Sequence, residues 1–147
     1  MSKRVRPIAI CAIEDQDRLF VFEARDTGTG TMFYRPLGGG IEFGERGADC
    51  VARELREEIA AEVTDVTYLG MIENIFTCNG EAGHEIVLVY RARFADPAWA
   101  RRGSVEVHEE EHVLTGRWMP LAAFRDGTAR LVPVELLDML EGGNRDD

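Results

Sequence analysis

Cysteine is scarce in this chain: Cys11, Cys50 and Cys78 are an odd number with no C-x-x-C pair. That excludes a disulfide framework and a thiolate zinc site, and leaves buried reduced thiols. Proline is sparse too, with five; together with 45% hydrophobic and 30% charged residues this excludes collagen-like, low-complexity and wholly disordered classes. No apolar run approaches the roughly 20 residues that cross a bilayer, and residues 8–13 are too short for a secretory signal core. The basic start, with Lys3, Arg4 and Arg6, is not followed by a small-residue cleavage site, so a cytoplasmic location and no membrane partner are expected. Positive charge is the remaining shortage. Seventeen basic residues against 27 acidic leave a net charge of −10, which argues against binding a nucleic acid polymer or anionic lipid. A phosphate ligand would need a local arginine cluster or divalent cations held by carboxylates.

What is present fits one domain over residues 1–147, since a chain of this length buries roughly two-thirds of its unfolded surface. Residues 6–13 and 18–23 read as strands around a polar turn, and a Gly/Thr-rich loop over 26–31 leads into an extended stretch over 32–37, stopped by Gly38-Gly39-Gly40. From about 47 to 62 the apolar positions Ala48, Val51, Ala52, Leu55 and Ile59 recur at helical spacing. Residues 67–76, 85–94 and 113–119 read as strands, with 77–84 as a polar turn. Residues 121–124 and 132–140 read as helices, the latter started by Pro133 and stopped by Gly142-Gly143, with a disordered tail from about 142. The expected class is α/β, a mixed sheet flanked by helices.

On the strong helix, Glu54, Glu57 and Glu58 fall within about 100° of one another, apart from the apolar face. Charged helix faces ordinarily just face water. Three carboxylates are also what a hard divalent cation takes, completing its shell with water and phosphate oxygens. The preceding residues decide between the two. Gly39, five residues, Glu45, seven residues, Arg53-Glu54-Leu55, one residue and Glu57-Glu58 form a gapped pattern whose chance occurrence in a chain this long is on the order of 10⁻⁵.

This pattern resembles the box of the Nudix hydrolase family, G-x5-E-x7-R-E-U-x-E-E-x-G-U with U aliphatic, departing from it at Ala60, where the family usually has a helix-ending glycine. The Arg117-Trp118-Met119-Pro120-Leu121 stretch and the overall length also look like the family. The resemblance implies an α/β/α sandwich. It implies a hydrolase that uses Mg²⁺ or Mn²⁺ to cleave a diphosphate linkage in a nucleotide-type small molecule, by attack of water on phosphorus. By position, Glu54, Glu57 and Glu58 would be metal ligands, with Glu54 also the candidate catalytic base, and a carbonyl from the loop at Gly39 would join them. Glu45 and Arg53 would be the supporting ion pair. A further ligand is expected from the run Glu109, Glu110, Glu111, with Glu110 or Glu111 ahead of Glu109. His108 and His112 flank that run at a zinc-like spacing but without a helical context or third ligand.

For the substrate, Arg35, Gly38 and Phe76 are the candidate contacts, with Arg25, Arg93, Phe33, Tyr34 and Tyr90 behind them. Markers of the ADP-ribose, diadenosine polyphosphate and NADH subfamilies are missing, the last being S-Q-P-W-P-F-P-x-S. The substrate therefore stays unnamed, and a homodimer, common in the family, stays open. The alternatives are a non-catalytic nucleotide-sensing module, which should lack box carboxylates that are present here, and an isopentenyl diphosphate isomerase, for which Cys50 lies in the wrong place.

Overall fold

The computed structural model describes residues 3–142. The strands are β1 (Arg6–Asp15), β2 (Arg18–Arg25), β3 (Met32–Arg35), β4 (Leu37–Gly40), β5 (Val63–Cys78), β6 (Glu81–Phe94), β7 (Val105–Glu109) and β8 (His112–Pro120). The helices are α1 (Gly47–Ile59), α2 (Leu121–Arg125) and α3 (Leu136–Gly142), with a 3₁₀ turn at Pro97–Arg101. The strands run β5-β6-β1-β2-β8-β7, with β3 added to β2 and β4 to β1. Only β1 and β6 pair in parallel among these strands.

β1 is apolar on both faces because both are covered. Ala9, Cys11 and Ile13 pack with Val51 and Leu55 of α1, whereas Ile8, Ile10 and Ala12 pack with Phe124 of α2 and Leu136 and Leu140 of α3. Helices on either side of one mixed sheet make the α/β/α sandwich. No helix among the described residues is long and apolar enough to cross a membrane.

The sheet splays at one place, beside the candidate site. β1 and β2 pair only beside their turn, at Glu14↔Leu19 and Asp15↔Arg18. Beyond it β4 takes over beside β1 and β3 beside β2. The stretch over 32–37 is therefore two strands rather than one, divided at Pro36, which has no N–H to offer a ladder. The triple glycine does not stop the strand: Gly38, Gly39 and Gly40 pair with Ile10, Ala9 and Ile8.

Four other boundaries differ from the sequence pattern. The turn expected over 77–84 shrinks to Asn79-Gly80, with φ of 55° and 79°, the two-residue geometry that joins antiparallel strands tightly. β5 starts at Val63, ahead of the expected 67, because a bulge between Thr64 and Thr67 lets an irregular stretch keep its pairing. β7 occupies residues to which the sequence pattern assigns no element. The last helix begins at Leu136 rather than beside Pro133, whose peptide bond with Val132 is cis; of its expected stop and tail, residues 143–147 lie outside the described residues.

α1 ends where the box glycine would be expected to end it. Ala60 takes the left-handed conformation, φ 56° and ψ 38°, and its N–H donates to the Arg56 carbonyl at 3.0 Å. The hydrogen-bonded ending survives, at the steric cost of a Cβ in that conformation. Ala60→Gly is expected to stabilise the fold by about 0.5–1 kcal/mol, a rise of about 1–4 °C in Tm on thermal unfolding. An unchanged or lower Tm would count against strain at this residue.

Candidate active site

The site is built where α1 lies across β4. Arg53 reaches back from the helix, donating to both carboxylate oxygens of Glu45 at 2.7 and 3.0 Å and to the Gly40 carbonyl at 3.1 Å. These bonds pin the 41–46 loop and the end of β4 to the helix. The guanidinium holds the Glu45 carboxyl down at about 2, and Glu45 in return pushes the Arg53 pKa upward. Arg53 Nη1 also lies 3.1 Å from Glu54 and 3.3 Å from Glu57, so one cation serves three of the box carboxylates. Arg46, at the helix start, makes no side-chain capping bond.

The box glycines act through the space they leave. A Cβ on Gly39 would stand 2.5 Å from the Glu54 carboxylate, so only glycine lets that group lie against β4. The Gly39 carbonyl, expected to face a metal, receives a long contact from the Cys50 thiol at 3.6 Å. Gly38 corrects the expectation of substrate contact: it is buried, and a Cβ there would meet the Ala9 carbonyl oxygen at 2.0 Å, so its task is packing against β1.

Glu58 is the anomaly in this helix. It is 3% exposed, and its Oε1 has no hydrogen-bond partner among the described residues. Burial, a hydrogen bond shared with Glu54, and the nearby charges of Glu109 and Glu54 push its pKa far above the ordinary carboxylate range, with Arg35 opposing them. Burial raises Glu109 likewise, with Arg35 again lowering it and Glu110 and Glu54 adding to the rise. Glu54, Glu58 and Glu109 therefore share one partly enclosed space with Arg35, while Glu57 is more exposed.

The three downstream acids differ in placement, and not in the order expected from the sequence for reaching the α1 carboxylates. Glu109 is the half-buried last residue of β7, whereas Glu110, with φ 51°, and Glu111 form the exposed β7–β8 turn and face solvent. His108 and His112 sit on opposite arms of that hairpin, opposite Val113 and Glu109, so the zinc-helix spacing does not occur. Cys50 is fully buried with its thiol pushed up to about 12 by burial, which removes it as a nucleophile.

A cavity of about 240 Å³ opens beside Arg35, lined also by Phe33, Asn74, Phe76, Glu85 and Arg130. Arg35 Nη1 is 3.8 Å from Glu85, and Arg35 Nε has no hydrogen-bond partner among the described residues. Its charge thus faces the carboxylates on one side and the cavity on the other. Phe33 and Phe76 line the cavity; Tyr34 packs on Phe124 and Tyr90 on Tyr68, while Arg25 donates to the Gly30 carbonyl and Arg93 pairs with Asp65. Arg130 and Glu85 escaped the sequence reading. Arg130 is carried in by a short parallel bridge between Tyr34 and Leu131, for which the sequence holds no local signal.

Among the described residues no three His, Cys, Asp or Glu side chains stand ready in metal-ligand geometry, Arg53 being interleaved between Glu54 and Glu57. The donor set nevertheless fits a hard divalent cation: all-oxygen groups, one of them a buried carboxylate with an unpartnered atom.

The family profile described as NUDIX domain matches residues 3–139. A protein of Pseudomonas putida named NAD-capped RNA hydrolase NudC is 30% identical over 115 residues, 78% of this chain and 36% of that protein. Its namesake from Mycobacterium tuberculosis is 43% identical over 68 residues, 46% and 21% of the two chains. The chain thus spans about a third or less of the length of these curated relatives. Among solved structures, a NUDIX hydrolase from Nitrosomonas europaea superposes with a TM-score of 0.68 at 17% identity, covering 97% of this chain and 92% of that one. An ADP compounds hydrolase gives 0.63 at 20%, covering 98% and 77%. At such identities the superpositions speak for the fold, and the profile, matching nearly the whole chain, speaks for the lineage: this chain belongs to the Nudix hydrolase family.

Proposed function

We propose that this protein hydrolyses a diphosphate linkage in a small nucleotide-type substrate, by attack of water on phosphorus, with Mg²⁺ or Mn²⁺ held by the α1 carboxylates. The observation that carries this reading is the convergence of Glu54, Glu58 and Glu109 beside Arg35, which itself lines a cavity. Arg53 pairs with Glu54 and Arg35 offsets Glu58 and Glu109 only in part, and Glu58 is buried with an oxygen that has no hydrogen-bond partner among the described residues. Glu54, Glu57, Glu58 and Glu109 would hold the cation. When bound, it would shield phosphate charge, lower the pKa of a bound water and bind charge developing on the leaving oxygen.

The chain's own groups do the rest. Glu54, which lies against β4 where Gly39 has no Cβ, would orient the attacking water and take its proton, a contribution of about 10²- to 10⁴-fold. Arg35 bridges the carboxylates and the cavity, so its guanidinium meets the phosphate oxygens as they enter. Phe33 and Phe76 offer ring faces to a base. Arg53 holds the loop in place through Glu45 and touches no substrate.

The test is turnover of a panel of nucleoside triphosphates, sugar nucleotides and dinucleotides, including NAD and NAD-capped RNA because of the relatives' names. Release of phosphate, pyrophosphate or a nucleoside monophosphate is expected with Mg²⁺ or Mn²⁺ and abolished by excess chelator. The missing S-Q-P-W-P-F-P-x-S stretch and the net charge of −10 make NAD-capped RNA the weaker member of that panel. Tight nucleotide binding with no turnover would sink the hydrolase reading in favour of a sensor.

A further inference from the structure

A second cleft, of about 820 Å³, opens between the start of β1 and the β5–β6 hairpin. Lys3, Arg4 and Arg6 line it, three of the chain's 17 basic residues, against two acids, Glu81 and Glu85. None of the three cations has an ion pair or side-chain hydrogen bond among the described residues. A locally basic cleft in a protein of net charge −10 runs against its surroundings.

The cleft adjoins the cavity at Arg35, since Ile75, Phe76 and Glu85 line both. Phe76 lies so close over Gly83 that a Cβ there would come within 2.4 Å of the ring, which fixes the ring at the seam. Glu85 is 7% exposed and its Oε1 has no hydrogen-bond partner, its nearest cation being Arg35 at 3.8 Å. The seam therefore offers one aromatic face and one buried acceptor. The seam's chemistry fits a base and a ribose hydroxyl, while the cations beyond it fit an anion.

We infer that this outer cleft is a subsite for the nucleotide arm of the substrate and reads an additional phosphate carried on that arm's ribose. The placement rests on the preceding reading in one respect, that the diphosphate itself lies at the carboxylates and Arg35. With the diphosphate on that side of Phe76 and Glu85, the second cation group meets charge only when the arm carries its own phosphate. A phosphomonoester brings close to two negative charges and three acceptor oxygens, which guanidinium groups bind in forked pairs. Glu85 repels phosphate from the seam and leaves it to the ribose.

Calorimetric titration of the full chain with adenosine 2′,5′-bisphosphate, adenosine 3′,5′-bisphosphate and AMP tests this. None of these probes contains a diphosphate, so the outcome is independent of whether the protein turns over the substrate panel. At least one bisphosphate is expected to bind about tenfold more tightly than AMP. In the Arg4→Gln/Arg6→Gln variant that preference should fall to about twofold or less with Tm retained. Should the double variant fail to fold, Arg4→Gln alone, which precedes β1, is expected to lose about threefold of the preference. Equal affinities of wild type for all three probes, or a folded variant that keeps the preference, would overturn the inference.

Discussion

Glu58→Gln is expected to lower kcat about 10²- to 10³-fold while making the cation-free protein more stable. The two effects have one origin. Glu58 is a carboxylate buried to 3% exposure, hydrogen-bonded with Glu54 and facing Glu109, so the fold without a cation gains nothing from its charge. Its folded pKa lies above its ordinary value of 4.5, so the favourable contribution is fully present below that value and is lost as pH rises toward the raised one. In chelator, the Tm advantage of the glutamine variant should therefore grow between about pH 5 and pH 9. A neutral amide keeps the volume and removes the charge that disfavours folding. Adding Mg²⁺ should narrow the gap, because ligand binding stabilises the wild type more than a variant lacking a ligand oxygen. Thermal unfolding of both proteins across that pH range, with and without Mg²⁺, checks this. Wild-type activity in the variant, or a gap independent of pH, would remove Glu58 from the role assigned to it.

The same cluster shows what was legible in the sequence. Glu54, Glu57 and Glu58 share a helix face fixed by 3.6-residue periodicity, and Arg53 lies one turn from Glu57, so local spacing alone brought four side chains together. Arg53 binds Glu45 and the Gly40 carbonyl to that face, and Gly39 lies against Glu54 there. The difference in burial between Glu109 and its two neighbours is not visible in the sequence, for a physical reason. The place of Glu109 depends on where β7 ends, and Val105–Glu109 is short and half-exposed, with only Val107 buried, so its alternation looks like a solvated loop. The site also depends on the splaying of β1 from β2, which no local residue announces: it is a property of which strand wins which edge. The Asn79-Gly80 turn was different, because its signal was present in two residues and was absorbed into a longer polar segment.

Glu109→Gln should reduce kcat/KM at limiting Mg²⁺ by about 10- to 100-fold, whereas Glu110→Gln and Glu111→Gln should each stay within about twofold of wild type. Three adjacent acids of identical chemistry make this a test of position alone. Glu109 ends β7 opposite His112, half-buried, and interacts electrostatically with Arg35 and Glu54, whereas its two neighbours turn into solvent. A side chain in the turn loses only a screened surface charge on substitution, and at physiological salt such a charge acts over about 8 Å. One that completes a cation's oxygen shell loses a ligand. Titrating Mg²⁺ against rate separates the two, because the Glu109 variant should recover toward wild-type kcat at high Mg²⁺, with its half-saturating concentration raised by about the same factor as the loss at limiting metal. A Glu111→Gln defect equal to that of Glu109→Gln would mean that the hairpin tip closes over the site when metal and substrate are bound.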